Sequence, residues 1–164
     1  MTTRILALVG SLRAGSYNRQ LAEAAAKHAP EGTDVEIFEG LAEVPFYNED
    51  LDRPGALPGP VQALRDAVGR ADALLLVTPE YNGSLTAVLK NAIDWASRPH
   101  LSGALIDKPV AAVGTSSGRY GGVWALDDTR KTARIAGARV LDDLNLAVPV
   151  NELKKSLGTV ATKN

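Results

Sequence analysis

Short apolar runs alternate with helical apolar stripes along this chain, and that alternation sets the expected architecture. Residues 73–77, ALLLV, are five consecutive apolar positions, the length and Leu/Val content of a strand buried on both faces. Thr78-Pro79 stops the run, because the residue before a proline is pushed out of the helical region and the proline cannot continue a ladder. A polar loop over 79–83 follows, with Ser84 as the expected cap of the next helix. Leu85, Val88, Leu89, Ala92, Ile93 and Ala96 then repeat at the i, i+3, i+4 spacing of one buried stripe. A strand feeding a short polar loop and then a helix is where open α/β sheets place their ligands.

The rest of the chain repeats this pattern. Strands are expected over 5–9, 34–38 and 109–113, with a fifth beginning at 139–141. A helix is expected over 18–28, with Leu21, Ala24, Ala25 and His28 toward the sheet and His28 also facing the negative end of the helix dipole. Val61, Leu64, Ala67 and Val68 form a second stripe ending at Gly69, and Leu126, Thr129, Ala133 and Ala136 form the inner face of a helix over 123–136. Four prolines and three glycines between Gly40 and Pro60 predict a long surface loop, of the kind that often carries function. Five strands alternating with helices, without internal repeat, predict an α/β fold with a parallel sheet and helices on both faces. At 164 residues this is one domain, 1–164, in which residues 151–157 allow at most two turns of a final helix.

Composition mainly removes possibilities. The net charge is -1, from 18 basic and 19 acidic residues with no long run of either sign, which excludes a nucleic-acid footprint or a polybasic membrane anchor. With no cysteine and two histidines, thiolate chemistry and multi-histidine metal sites are excluded. No stretch approaches the ~18 apolar residues of a membrane span, and the N-terminal run reads as a strand rather than a leader, so a cytoplasmic protein is expected. Asp127, Asp128, Arg130 and Lys131 read as a solvated face, and His100 as solvent-facing. Trp95 and Trp124 sit at stripe edges, where tryptophan serves as core filler or as subunit contact.

Three loops leave the carboxyl ends of strands one, three and four and carry the candidate chemistry. The first, GSLRAGSYN, combines hydroxyl and amide side chains, Arg13 and a helix N-terminus, the ingredients of a phosphate site. An ordinary Ser/Asn-rich cap has the same composition. The loop is neither GxGxxG, since Leu12 stands where that pattern needs glycine, nor a P-loop, since Ser16 stands where the lysine must be. The second, PEYNGS, couples Tyr81 to an Asn-Gly pair suited to positive φ, either to aim backbone N–H groups at a ligand or simply to turn at the surface. The third, GTSSGRYGG, reads as an anion nest or lid, or as a flexible linker. Jointly they suit one phosphate-bearing, planar ligand laid across the sheet edge.

GSLRAGSYNRQLA, TPEYNGSLTAVLKNAIDW and GTSSGRYGG also resemble the signatures of the NADPH-dependent FMN reductases, the flavodoxin-like group that includes bacterial quinone, chromate and azo-dye reductases. The resemblance runs from Ile5 to about Val140. It implies a three-layer sandwich with strand order 2-1-3-4-5, FMN as cofactor, NADPH or NADH as electron donor, and a quinone-like acceptor. By the family pattern Ser11, Arg13, Ser16 and Asn18 match the FMN phosphate residues. Pro79, Glu80, Tyr81, Asn82 and Gly83 match the loop along the isoalloxazine, and Ser116, Gly118 and Gly121 match the ribityl and ring-edge loop. A homodimer or homotetramer is implied as well. This chain has Thr86 where many members have proline, and its segment after about 150 is short for the family's covering helix. No Ser-His-Asp set or facing carboxylate pair is evident, and none is needed where a flavin holds the electrons. The competing expectation is a flavodoxin-like electron carrier or interaction module, against which the near-neutral charge counts.

Overall fold

Five parallel strands form the centre of the computed structural model, which describes residues 1–161. They are β1 (Thr3–Val9), β2 (Thr33–Ile37), β3 (Ala73–Val77), β4 (Pro109–Ser116) and β5 (Arg139–Pro149), in the spatial order β2-β1-β3-β4-β5. The helices are α1 (Tyr17–Lys27), α2 (Gly59–Arg70), α3 (Ala87–Ala96), α4 (Val123–Ile135) and α5 (Val150–Ala161). The order 2-1-3-4-5 and the three-layer arrangement are those implied by the resemblance. Residues 162–164, the end of the expected C-terminal segment, lie outside the described residues.

Strand alternation divides the core into two layers. Leu6, Leu8, Leu74, Leu76 and Val110 face Val61, Leu64 and Val68 of α2 and Leu89 and Ile93 of α3. The intervening Ala7, Val9 and Val77 face Leu21 and Ala22 of α1. Each buried Leu, Ile or Val contributes roughly 1.5–3 kcal/mol, so the larger α2–α3 layer carries most of the stability. No helix among the described residues is long and apolar enough to cross a membrane.

Several expectations change in detail. His28 is not on the inner stripe of α1: it is the exposed C-cap residue, its N–H donating to the Ala24 carbonyl. The buried face is Asn18 and Ala22, because the Asn18 side chain is tied to β4 and sets the rotation of the helix. The cap of α3 is Thr86, whose hydroxyl accepts from the Leu89 N–H, while Ser84 belongs to the preceding turn. Residues 39–60 are not a free loop. Leu41 and Val44 are buried, and the Pro45 carbonyl accepts from Trp95 Nε1 at 2.7 Å and from Asn91 Nδ2 at 2.9 Å. Arg65 pairs with Asp52 at 2.9 Å, pinning the same segment to α2. Trp95 is therefore a core residue, whereas Trp124 is exposed beside Tyr120.

The expected solvated face on α4 also fails in part. Arg130 is buried and donates to Asp127 at 2.9 Å and to Asn145 at 2.7 Å, because the inward turn of Thr129 and Ala133 carries it into the α4–β5 groove. Asp128 accepts from the Ser84 hydroxyl and pairs with Lys131, which holds its carboxyl below the usual range. The Lys131 contact is the larger cause and the Ser84 hydroxyl the next.

Register at the sheet edge is uneven. Val110 is opposite Val140 but Ala112 is opposite Asn145, so β5 bulges over 141–144 before pairing resumes to Ser116–Pro149. Pairing this far along extends β4 into the glycine-rich segment read from sequence as loop. α5 starts immediately after β5 and is 12 residues, about three turns, rather than two. It packs against β4 and β5, while Leu144 and Leu146 of β5 stay exposed.

Candidate active site at the carboxyl edge of the sheet

The loops after β1, β3 and β4 line one cleft of about 440 Å³. Its walls come from Ser11, Arg13, Ser16, Tyr17 and Asn18 of the first loop and α1. Pro79, Glu80 and Tyr81 follow from the second loop, and Thr115, Ser116 and Ser117 from the third. Two close approaches bring the loops together. A side chain at Gly114 would place its Cβ 2.1 Å from the Thr78 carbonyl oxygen, so β3 and β4 can leave the sheet side by side only with glycine there. Asn18 closes the other side: its Nδ2 donates to the Thr115 carbonyl and its Oδ1 accepts the Thr115 N–H, both at 2.9 Å. A buried side-chain amide thus acts as one more rung of backbone pairing between α1 and β4.

The first loop supplies the anion-binding end. Ser16 is the N-cap of α1, accepting the Arg19 N–H at 3.2 Å and keeping its own proton to donate. The N–H groups of Tyr17 and Asn18, in the first turn, have no acceptor within the helix. The Asn18 side chain is engaged by Thr115, so what it can offer a ligand is its main-chain N–H. Arg13 is exposed, with its guanidinium carbon 5.6 Å from the Tyr17 ring centre. Arg19, by contrast, is held by Glu23 and Glu39, which raise its pKa, while Arg19 in turn lowers that of Glu39, in both cases chiefly through the Arg19–Glu39 hydrogen bonds.

The second loop is a two-residue turn. Asn82 and Gly83 both have positive φ, 54° and 75°, and Tyr81 and Ser84 exchange backbone hydrogen bonds at 3.2 Å across them. That is the primed turn an Asn-Gly pair favours. Glu80 serves the frame: Gly122, the N-cap of α4, has no side chain to offer, and the Glu80 carboxylate accepts the Ala125 N–H at 3.1 Å in its place. The second and third loops are thereby locked together.

Eight of the sequence-derived positions line the cleft: Ser11, Arg13, Ser16, Asn18, Pro79, Glu80, Tyr81 and Ser116. Asn82 and Gly83 form the turn beyond it, with Gly83 beside Trp124 and Lys131 in a separate shallow depression. Gly118 donates its N–H to the Ser116 hydroxyl at 3.3 Å, and Gly121 is wedged against the Ala147 carbonyl at the end of β5. Tyr17, Thr115 and Ser117 lie within the quoted motifs yet were not singled out. Val150, Asn151 and Lys154 join the cleft from α5, a segment with no chemical signature in sequence. The larger cavity, about 800 Å³, is elsewhere, between α3 and α4, and is lined by residues such as Leu101, Ile106 and Ile135.

The donor set fits FMN. Among the described residues Glu80 is the one acid lining the cleft, and its carboxylate is directed to α4, so the lining offers donors to an anion: four serine hydroxyls, Arg13 and a helix N-terminus. The Thr115 hydroxyl is buried at the same place without a hydrogen-bond partner, an orphan that a polyhydroxyl ligand chain can satisfy. Pro79 and Tyr81 add apolar surface to the lining, on which a planar ring can lie.

The chain is similar to several known proteins. The NAD(P)H-dependent FMN reductase PA1204 of Pseudomonas aeruginosa is 43% identical over 129 residues, covering 79% of this chain and 68% of that protein. A quinone reductase of Pseudomonas putida is 43% identical over 128 residues, 78% of this chain and 68% of its own length. Among solved structures, FerB, a flavoenzyme NAD(P)H:(acceptor) oxidoreductase of Paracoccus denitrificans, superposes with a TM-score of 0.79 at 34% identity. That match covers 85% of this chain and 75% of FerB. The sequence profile described as NADPH-dependent FMN reductase matches residues 3–152, which include the sheet and all three cleft loops. This chain belongs to the NADPH-dependent FMN reductase family of enzymes.

Proposed function

We propose that this protein is an FMN-dependent NAD(P)H oxidoreductase that reduces quinones or similar flat acceptors, with donor and acceptor using one site in turn. The observation that carries this reading is the donor-lined cleft, in which Arg13, four serines and the N-terminus of α1 meet the apolar surfaces of Pro79 and Tyr81. When bound, the flavin supplies the two-electron chemistry, taking a hydride from NADPH or NADH and returning the electrons to the acceptor. The chain's own part is to hold and orient. Ser11, Arg13, Ser16 and the first N–H groups of α1 neutralise the phosphate. Ser116, Ser117 and Thr115 face the polyhydroxyl chain, and the 79–83 turn, braced by Glu80 on α4, positions the ring. The sequence carries no dinucleotide-binding fingerprint, which supports alternating rather than simultaneous occupancy by the nicotinamide and the acceptor.

Initial rates at varied donor and acceptor concentrations test this. Parallel double-reciprocal lines are expected; intersecting lines would defeat the shared site. Reduction of the bound flavin by NADPH or NADH alone, followed by absorbance, is expected to be rapid. Absence of that reduction would favour the electron-carrier alternative. The proposal extends to assembly. Leu101 and Ile135 are exposed at the α3–α4 cavity, and Trp124 is exposed at the other end of α4, apolar side chains suited to contact with a second copy of the chain. A homodimer or homotetramer is expected by light scattering, and a flavin-loaded species at 17.3 kDa would contradict it.

A further inference from the structure

The C-terminal helix brings a cation to the cleft that the loop motifs do not contain. α5 packs against β4 and β5, with Leu153 buried as its anchor. That placement sets Val150, Asn151 and Lys154 into the cleft wall. Asn151 and Lys154 are three residues apart and share one helix face. Lys154 Nζ lies 5.0 Å from the centre of the Tyr17 ring, and the Arg13 guanidinium carbon lies 5.6 Å from the same centre. The two charges can be no further apart than those distances laid end to end. Tyr17 is the first residue of α1, so both cations gather at a helix end that is itself electropositive.

Neither cation has a carboxylate partner among the described residues, whereas five of the ten other arginines, Arg19, Arg53, Arg65, Arg130 and Arg134, are paired with acids. A ring face holds an exposed cation only weakly. Like charges assembled at a helix N-terminus repel unless an anion sits between them. The unpartnered Thr115 hydroxyl, buried in the same cleft, is an independent sign of a polar ligand there.

We propose that Lys154 is a second cation for the FMN phosphate, which makes α5 part of the cofactor site and couples its docking to the phosphate. The inference rests on reading the cleft as an FMN site. The planar fork of Arg13 suits two phosphate oxygens, and the flexible stem of Lys154 delivers a point charge to the same group from α5. Riboflavin, which has the ring and ribityl chain but no phosphate, does not use Lys154.

Fluorescence-quenching titrations of the full chain with FMN and with riboflavin, at low and high salt, test this. Lys154→Ala is expected to raise the Kd for FMN roughly three- to tenfold, between the effect of an exposed ion pair and that of a charged hydrogen bond. Riboflavin affinity should stay unchanged, the salt dependence of FMN binding should flatten, and Lys154→Arg should restore most of the loss. Hydrogen exchange of the α5 amides should slow with FMN but not with riboflavin. An equal loss for FMN and riboflavin in Lys154→Ala would reduce the lysine to a structural role and overturn the proposal. Unchanged FMN affinity in Lys154→Ala, with a clear loss in Arg13→Ala, would also overturn it while leaving the FMN site standing. A wild-type protein that binds FMN no better than riboflavin would refute the phosphate end itself, and the role of Lys154 with it.

Discussion

Asn18 sits among phosphate-matching residues in the sequence, but its side chain closes a rung between α1 and β4, and replacing it tests that distinction. In Asn18→Ala the Thr115 N–H and carbonyl lose partners that now lie at 2.9 Å each, in a site where Asn18 is 4% exposed. A buried polar group left unpaired costs about 1–3 kcal/mol. Two such groups give about 2–6 kcal/mol, and the lower half of that range is expected because the adjoining cleft admits water to the vacated space. For a chain of this size each kcal/mol lowers Tm by about 2–4 °C, so a fall of roughly 4–16 °C in the flavin-free protein is expected. Urea titration without FMN measures the loss directly. The affinity for FMN, measured at a temperature where the variant remains folded, should fall less than in Arg13→Ala, because the main-chain N–H of residue 18 is retained. A flavin-free Asn18→Ala within about 0.5 kcal/mol of wild type, together with a large loss of FMN affinity, would refute the reasoning: the amide would then be a direct ligand rather than a brace. That threshold is the usual range of a surface substitution away from any such feature.

Arg13→Ala removes the one cation of the first loop, and since a charged hydrogen bond is worth about 1.5–3 kcal/mol, FMN affinity should drop by about one to two orders of magnitude. Turnover should return close to wild type once added FMN saturates the site; persistent inactivity with the site demonstrably full would show that Arg13 acts on the chemistry. Trp95→Ala should destabilise by about 3–5 kcal/mol, read by urea unfolding, because the indole is fully buried and bonded to the Pro45 carbonyl that holds residues 39–60 in place. Asp128 has a folded-state pKa below its unfolded value, chiefly through Lys131 and then the Ser84 hydroxyl. Its stabilising contribution is therefore present above the ordinary carboxylate range and is lost as pH falls through the lowered value. Asp128→Asn should flatten that acid limb in a pH series of thermal melts.

The sheet was legible in the sequence because its strands carry a local signal. Residues 73–77 have the length and Leu/Val content of a buried strand: five apolar side chains in a row leave no polar face, and Thr78-Pro79 stops them. The Asn82-Gly83 turn was legible for the same reason, since positive φ is a property of those two residues themselves. The three cleft loops could be placed on one edge because a parallel sheet sends the carboxyl end of every strand to the same side.

Roles that depend on a partner distant in the chain were decided only by the tertiary structure. Nothing near Asn18 announces Thr115, 97 residues away, and nothing near Glu80 announces the uncapped Ala125 N–H of α4. Arg130 looks like any charged residue on a helix surface until the bulge in β5 brings Asn145 to meet it. Trp95 has the same periodicity whether it faces a second subunit or the core, and the Pro45 carbonyl decides for the core. Lys154 enters the cleft because α5 follows β5 without a connecting loop and packs across the ends of two strands, a direction that no periodicity encodes. Local sequence determined which residues are strand, helix and turn, since backbone preference and apolar spacing act over a few neighbours. What each polar side chain does was settled by long-range packing, because a buried donor or acceptor must be satisfied by whatever the fold places against it.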